Sequence, residues 1–256
     1  MKRTLLIGLN NFPSGQLPLS LLDSSKAAKD QVDVDLKTLC HLMYLDNYGL
    51  TVPNPNPCFL QYQDFVTPSS ELEFASLGTH KETKTAESMK LGKAFCRSFL
   101  YEHFGMIHFA HMDHILGKAP NAPYSQIRIT RIPTGGDTPD YLCSDGTKAV
   151  FLAEAKGRQT GKLDFGNPTF QKFRNQFANV RVTNASGAAL KLKGYIVATR
   201  FRLSNEASKT RSKMYAEDPY SQGDCATLGN VVYMGNRDCR QALWNSVVTG
   251  VAGSGA

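Results

Sequence analysis

No apolar run in this chain reaches the roughly 18 residues that a membrane-spanning helix requires. The opening, Met1-Lys2-Arg3 followed by Thr4 to Leu9, is too short in its apolar part for a signal peptide. Asn10-Asn11-Phe12-Pro13 offers no small-residue cleavage site either. A first β-strand is the expectation there, and no membrane partner is expected. None of the six cysteines (Cys40, Cys58, Cys96, Cys143, Cys225, Cys239) stands in a CxxC pair. A secreted disulfide scaffold is shorter and denser in cysteine, so reduced thiols and a cytoplasmic location are expected. Internal repeats and low-complexity tracts are missing as well. No serine lies in a GxSxG elbow, and Gly135-Gly136-Asp137 lacks the flanking pattern of a phosphate loop.

What remains is a 256-residue chain with 41% apolar and 20% charged residues, enough to bury a full core. Residues 31–48 carry Leu36, Leu39, Leu42 or Met43 and Leu45 at helical spacing and are read as a helix. Thr51 to Pro57 is proline-rich loop, and 58–66 reads as a strand. A long helix is predicted from Lys81 to Phe104. Thr79-His80-Lys81-Glu82 fits a capping box, Leu91, Ala94, Phe95, Ser98 and Phe99 form one face, and Gly105 ends it. Residues 106–116 read as a strand. Asp140 to Cys143 and Ala149 to Ala155 read as two strands joined at Ser144-Asp145-Gly146-Thr147. A helix over 168–181 and strands at 194–199 and 230–234 follow. This order implies an α/β fold, a mixed sheet with helices on its faces. The expected division is an accessory region at 1–80, a core at 81–245 and a flexible tail at 246–256.

One constellation carries chemistry. Glu154 and Lys156 alternate on one face at the end of an apolar strand. Two charges there are costly unless they pair or bind a metal. A Glu–Lys pair fraying into solvent is the plain alternative. Asp140 decides between them through register. In a hairpin the paired positions have a constant sum, and only an even sum puts Asp140 on the face of Glu154. A two-residue turn at Asp145-Gly146 defeats the site. A three-residue loop at 145–147 sets Asp140 opposite Leu152 and diagonal to Glu154. The reading therefore requires an odd-length loop or a bulge. Asp and Glu oxygens suit Mg²⁺ or Mn²⁺, and a lysine beside them can steady charge on a phosphate.

Pro139-Asp140 with Glu154-Ala155-Lys156, set between two helices, resembles the PD-(D/E)xK nuclease superfamily over about residues 82–200. The resemblance implies a restriction-endonuclease-like fold and Mg²⁺- or Mn²⁺-dependent cleavage of phosphodiester bonds, in DNA before RNA. It implies catalytic roles for Asp140, Glu154 and Lys156, and metal ligation by Asp140, Glu154 and the Ala155 carbonyl. It also suggests Glu87 as a further ligand, because Glu87 shares the apolar face of its helix with Leu91 and Phe95. Gln176 resembles a glutamine that some members use beside the site, although Val180 stands where those members carry tyrosine. Work within a restriction or anti-phage defence assembly, with a protein partner or a second copy, is the associated expectation.

Charge points the same way. The net charge is +7, yet residues 155–213 hold thirteen lysines and arginines against Asp164 and Glu206 alone, a local balance of +11. Such segregation fits a phosphate-tracking groove. Arg158, Lys162, Lys172, Arg174, Gln176 and Arg181 are the expected nucleic-acid contacts. His108, His111 and His114 do not converge on one strand face, so zinc is not the expected metal. Two other readings stay open: a nucleic-acid-binding module of the same fold without catalysis, and an interaction protein whose charges only keep it in solution.

Overall fold

The computed structural model describes residues 1–13, 15–48, 65–117, 127–133, 136–145, 150–184, 186–207 and 209–219. The strand expected at 58–66 (apart from its last two residues), the one at 230–234 and the tail lie outside the described residues.

The chain is α/β. In order it forms β1 (Lys2–Asn10), β2 (Gln31–Asp35), α1 (Leu36–Tyr48), α2 (Lys81–Phe104), β3 (His108–His111), α3 (Met112–Ile115), β4 (Ile127–Arg131), β5 (Tyr141–Ser144), β6 (Val150–Arg158), α4 (Pro168–Gln176), β7 (Val180–Asn184), β8 (Ala189–Leu190), β9 (Gly194–Arg200) and β10 (Lys213–Glu217). Seven strands make one mixed sheet in the order β2-β1-β10-β9-β6-β5-β3, flanked by helices, and β4-β7-β8 form a smaller sheet. Pairing is parallel between β1 and β10 and antiparallel at β1–β2, β3–β5 and β5–β6. No described helix is long and apolar enough to cross a membrane.

Two compact units divide the chain. The first comprises 1–103, 155–167 and 197–217. Its core joins Leu5 and Ile7 of β1 to Leu36, Leu39 and Met43 of α1 and Leu91, Phe95 and Phe99 of α2, all buried. The Phe201 ring packs 5.4 Å from both Phe74 and Phe95. Arg97 and Asp46 form a buried ion pair at 3.0 Å that ties α2 to α1. The second unit comprises 104–154, 168–196 and 218–256. There Phe109 packs edge-on to Tyr141 at 5.7 Å, and the buried Lys193 pairs with Asp218. The described cysteines Cys40, Cys96 and Cys143 are buried and stand outside any disulfide.

The long helix has the bounds that its periodicity predicts, and Gly105 ends it at φ 67°, a left-handed position suited to glycine. Three expectations are corrected. Residues 31–35 are not helix: Gln-Val-Asp-Val-Asp alternates with period two and pairs antiparallel with β1, so the helix starts only at Leu36. The strand expected over 106–116 spans only His108–His111 and turns into one turn of helix at Met112. The helix expected over 168–181 ends at Gln176. One 3₁₀ turn follows, and Val180 begins β7, paired with Arg131 of β4.

Packing of α2 on β6 leaves no room for a side chain at Gly157. A Cβ there would sit 1.8 Å from the Ser88 carbonyl oxygen, and one on Gly92 would sit 2.3 Å from the Gly157 nitrogen. Gly157→Ala is therefore expected to cost about 3 kcal/mol or more, the upper range for overpacking, read as a fall in denaturation midpoint. Burial lowers the pKa of His103 from 6.5 to about 4, with Lys29 adding a smaller repulsion, and the ring lies 2.9 Å from the Ser20 hydroxyl. The native pKa lies below the unfolded one. The associated stability is full above pH 6.5 and is lost as pH falls toward 4. His103→Gln is expected to flatten that part of the stability–pH curve in chemical denaturation.

Candidate metal and phosphate site

The hairpin register has the even sum that the site requires. Tyr141 pairs with Ala153, Leu142 with Leu152, Cys143 with Phe151 and Ser144 with Val150. Five residues, an odd number, separate Ser144 from Val150. One further step along this register, past the end of β5, would bring Asp140 opposite Glu154, where a three-residue loop predicts a diagonal. The ladder continues on the other side, since the Met112 amide donates to the Asp140 carbonyl at 2.8 Å. Directly opposed residues have Cβ atoms roughly 4.5–5.5 Å apart. Asp140 is half-buried, Pro139 before it is buried, and Glu154 has 0% exposure.

Lys156 follows Glu154 by two residues on the same strand, and alternation gives both the same face. Ala155, buried, lies between them on the opposite face, as do Ala153 and Gly157. A neighbouring helix holds the strand end in place. Gly157 backs onto Ser88 and Gly92 of α2. Two residues on, the buried Gln159 side-chain amide donates to the Lys84 carbonyl and to the Ser88 hydroxyl, each at 2.6 Å. Because Gly157 faces α2, Lys156 faces away from it.

The other expected site residues are dispersed. Glu87 does share the face of Leu91, as its spacing predicts, but both line a small apolar cavity with Leu36, Leu39 and Met43 of α1. Glu87 accepts from Lys90 at 2.8 Å. The side of α2 that meets β6 is that of Ser88 and Gly92, and it lies on the strand face opposite Lys156. The structure does not bring Glu87 to the Lys156 face. Lys162 is exposed and paired with Asp164 at 3.2 Å. Lys172 is exposed, Arg174 lies 5.3 Å over the Phe170 ring, and Gln176 is buried, so these three do not share one face of α4. The Gln176 Oε1 atom is buried with no hydrogen-bond donor among the described residues. Arg181 is exposed on β7. His111 pairs with Tyr141, one position beyond Asp140, and therefore occupies the other face; its ring lies 5.5 Å from that of His114.

Neither Gly92, Ser88 nor Gln159 was singled out from the sequence. Their signal is faint: a glycine inside a long helix and another inside a charged strand end, each marking close backbone approach. No model of a known protein family, no curated protein and no solved structure matches this chain.

The donor set fits a hard divalent ion. Two carboxylates directly opposite each other repel, and a cation between them converts that repulsion into attraction. Among the described residues no three His, Cys, Asp or Glu side chains come together. Two carboxylates with water completing the shell are nonetheless a sufficient protein share for Mg²⁺. Mg²⁺ or Mn²⁺ at about 100 times its dissociation constant is expected to stabilise the chain by about 2.7 kcal/mol. A melting scan with and without EDTA reads this, and Glu154→Gln is expected to abolish the shift.

Proposed function

We propose that this chain is a metal-dependent nuclease of the PD-(D/E)xK, restriction-endonuclease-like kind, hydrolysing phosphodiester bonds in DNA. The single observation that supports the reading is the even-summed hairpin register, Tyr141 with Ala153, which continued by one step would bring Asp140 opposite Glu154, on the face that strand alternation gives to Lys156.

Asp140 and Glu154 would hold Mg²⁺ or Mn²⁺, with the Ala155 carbonyl as the further ligand that the resemblance suggests. When bound, such an ion acidifies a water molecule and neutralises charge developing on phosphate. Lys156 brings a compact ammonium to the same face. It orients the attacking water and steadies the negative charge that grows on the phosphate oxygens. Glu154 fixes the ligand geometry through its burial, since a side chain packed on all sides keeps one rotamer. Asp140, only half-buried, leaves the side from which a substrate enters. Glu87 has no part in this arrangement. A cytoplasmic setting and work beside a partner protein in restriction or anti-phage defence belong to the same proposal.

Supercoiled, linear and single-stranded substrates with Mg²⁺, Mn²⁺ or EDTA test the reading. The protein is expected to cleave with either ion and to stop in EDTA. Asp140→Asn, Glu154→Ala and Lys156→Met are each expected to reduce cleavage by about 100- to 1,000-fold, the range for losing one preorganised electrostatic group, while binding is retained. Glu87→Gln is expected to cleave normally. Cleavage that survives Glu154→Ala or EDTA would falsify the assignment.

A further inference from the structure

The long helix α2 carries a second pattern besides its apolar face. Lys81, Lys84, Thr85 and Ser88 recur at i, i+3, i+4 and i+7, which makes a polar stripe along its first turns. That stripe runs beside residues 157–160 at the end of β6. With Met89, Gly157, Arg158, Gln159 and Thr160 it lines an open cleft of about 550 Å³. The volume lies within the roughly 300–1,000 Å³ of ligand sites.

The cleft is set apart by its charge. Its lining includes Lys81, Lys84 and Arg158 and no acidic residue. None of these three cations is ion-paired with a described residue, and all three converge on one cleft. The walls are also fixed. Gly157 is seated on Ser88, and Gln159 is bonded to Ser88 and to the Lys84 carbonyl. Aromatic rings, which would stack a base, are missing from the lining. Cations and hydroxyls without a stacking surface suit phosphates and not bases, so contacts here position a strand without reading it.

We infer that this cleft, on the side of β6 that packs against α2, seats the sugar–phosphate backbone of a nucleic-acid strand. The inference rests on the nuclease reading for the class of its ligand, and the binding is measured separately. The triple variant Lys81→Gln, Lys84→Gln, Arg158→Gln is compared with wild type by anisotropy of a labelled duplex in EDTA over a range of salt. Each phosphate contact contributes about 0.9 to the slope of log affinity against log salt, so the slope is expected to flatten by about two to three. Affinity at low salt is expected to fall by about 10- to 100-fold. Lys26→Gln with Lys37→Gln, exposed cations elsewhere, is expected to change neither.

An unchanged slope in a triple variant that melts like wild type overturns the inference, as does wild-type protein that binds no nucleic acid. So does a triple variant that loses binding of inorganic phosphate while its duplex slope is preserved, since that marks a small-anion site. Should the triple variant melt early, Lys81→Glu alone, on an exposed position, gives the same reading. Cleavage that survives Glu154→Ala while the triple variant flattens the slope removes the nuclease reading and keeps the cleft.

Discussion

Where α2 crosses the end of β6, two backbones meet with no side chain between them. Gly92 and Gly157 allow that approach, and the Ser88 carbonyl occupies the place of a Cβ on residue 157. The contact constrains more than packing. A strand has two faces, so fixing Gly157 inward against the helix fixes Lys156 outward. Gln159 extends the restraint by bonding to the same turn of helix, at Lys84 and Ser88. The polar end of an otherwise apolar strand is thus held as firmly as its middle. A lysine on a frayed strand end would sample many directions, whereas here its backbone is clamped on both sides.

Much of this was legible in the sequence where the signal is local. The bounds of α2 follow from its apolar period and from Gly105, and β6 follows from its apolar run. The condition on the hairpin, an odd loop length, follows from strand periodicity alone, and the five-residue loop meets it. Failures occurred where two periods abut or where partners are distant. The alternation of Val32 and Val34 was absorbed into the helix that follows it, because Leu36 and Leu39 continue an apolar pattern at compatible spacing. Val180 falls within the helix expected over 168–181, yet its partner is Arg131 in β4, nearly fifty positions earlier. Parallel pairing of β1 with β10 joins the two ends of the described chain, and no local pattern signals it.

Charge shows the same limit. A balance of +11 over residues 155–213 reads as a continuous basic surface. Folding brings Glu71 to Arg211 and Glu73 to Arg202, acids that lie well outside that window, and Glu206 closes back on Arg200. These pairs consume charge that a linear count treats as available. Glu71 is held below the usual carboxylate range chiefly by its hydrogen bonds to the Arg211 guanidinium. What stays unneutralised among the described residues is better located by cavities and ion pairs than by sums. That criterion moves attention from the cations of α4, which do not share one face, to the first turns of α2.

Glu154 makes the strongest case that this hairpin serves something other than stability. It has 0% exposure, and its nearest strand neighbours Leu152, Ala153 and Ala155 are buried and apolar. A methionine or leucine would fill the same space without the desolvation cost of a carboxyl group, and buried polar groups are often replaceable in this way at no loss of stability. The hairpin register, continued by one step, would bring a second acid, Asp140, opposite it and add repulsion to that cost. In the proposed function a hard cation held between the two acids would offset that repulsion, with the ammonium of Lys156 two residues further along the strand.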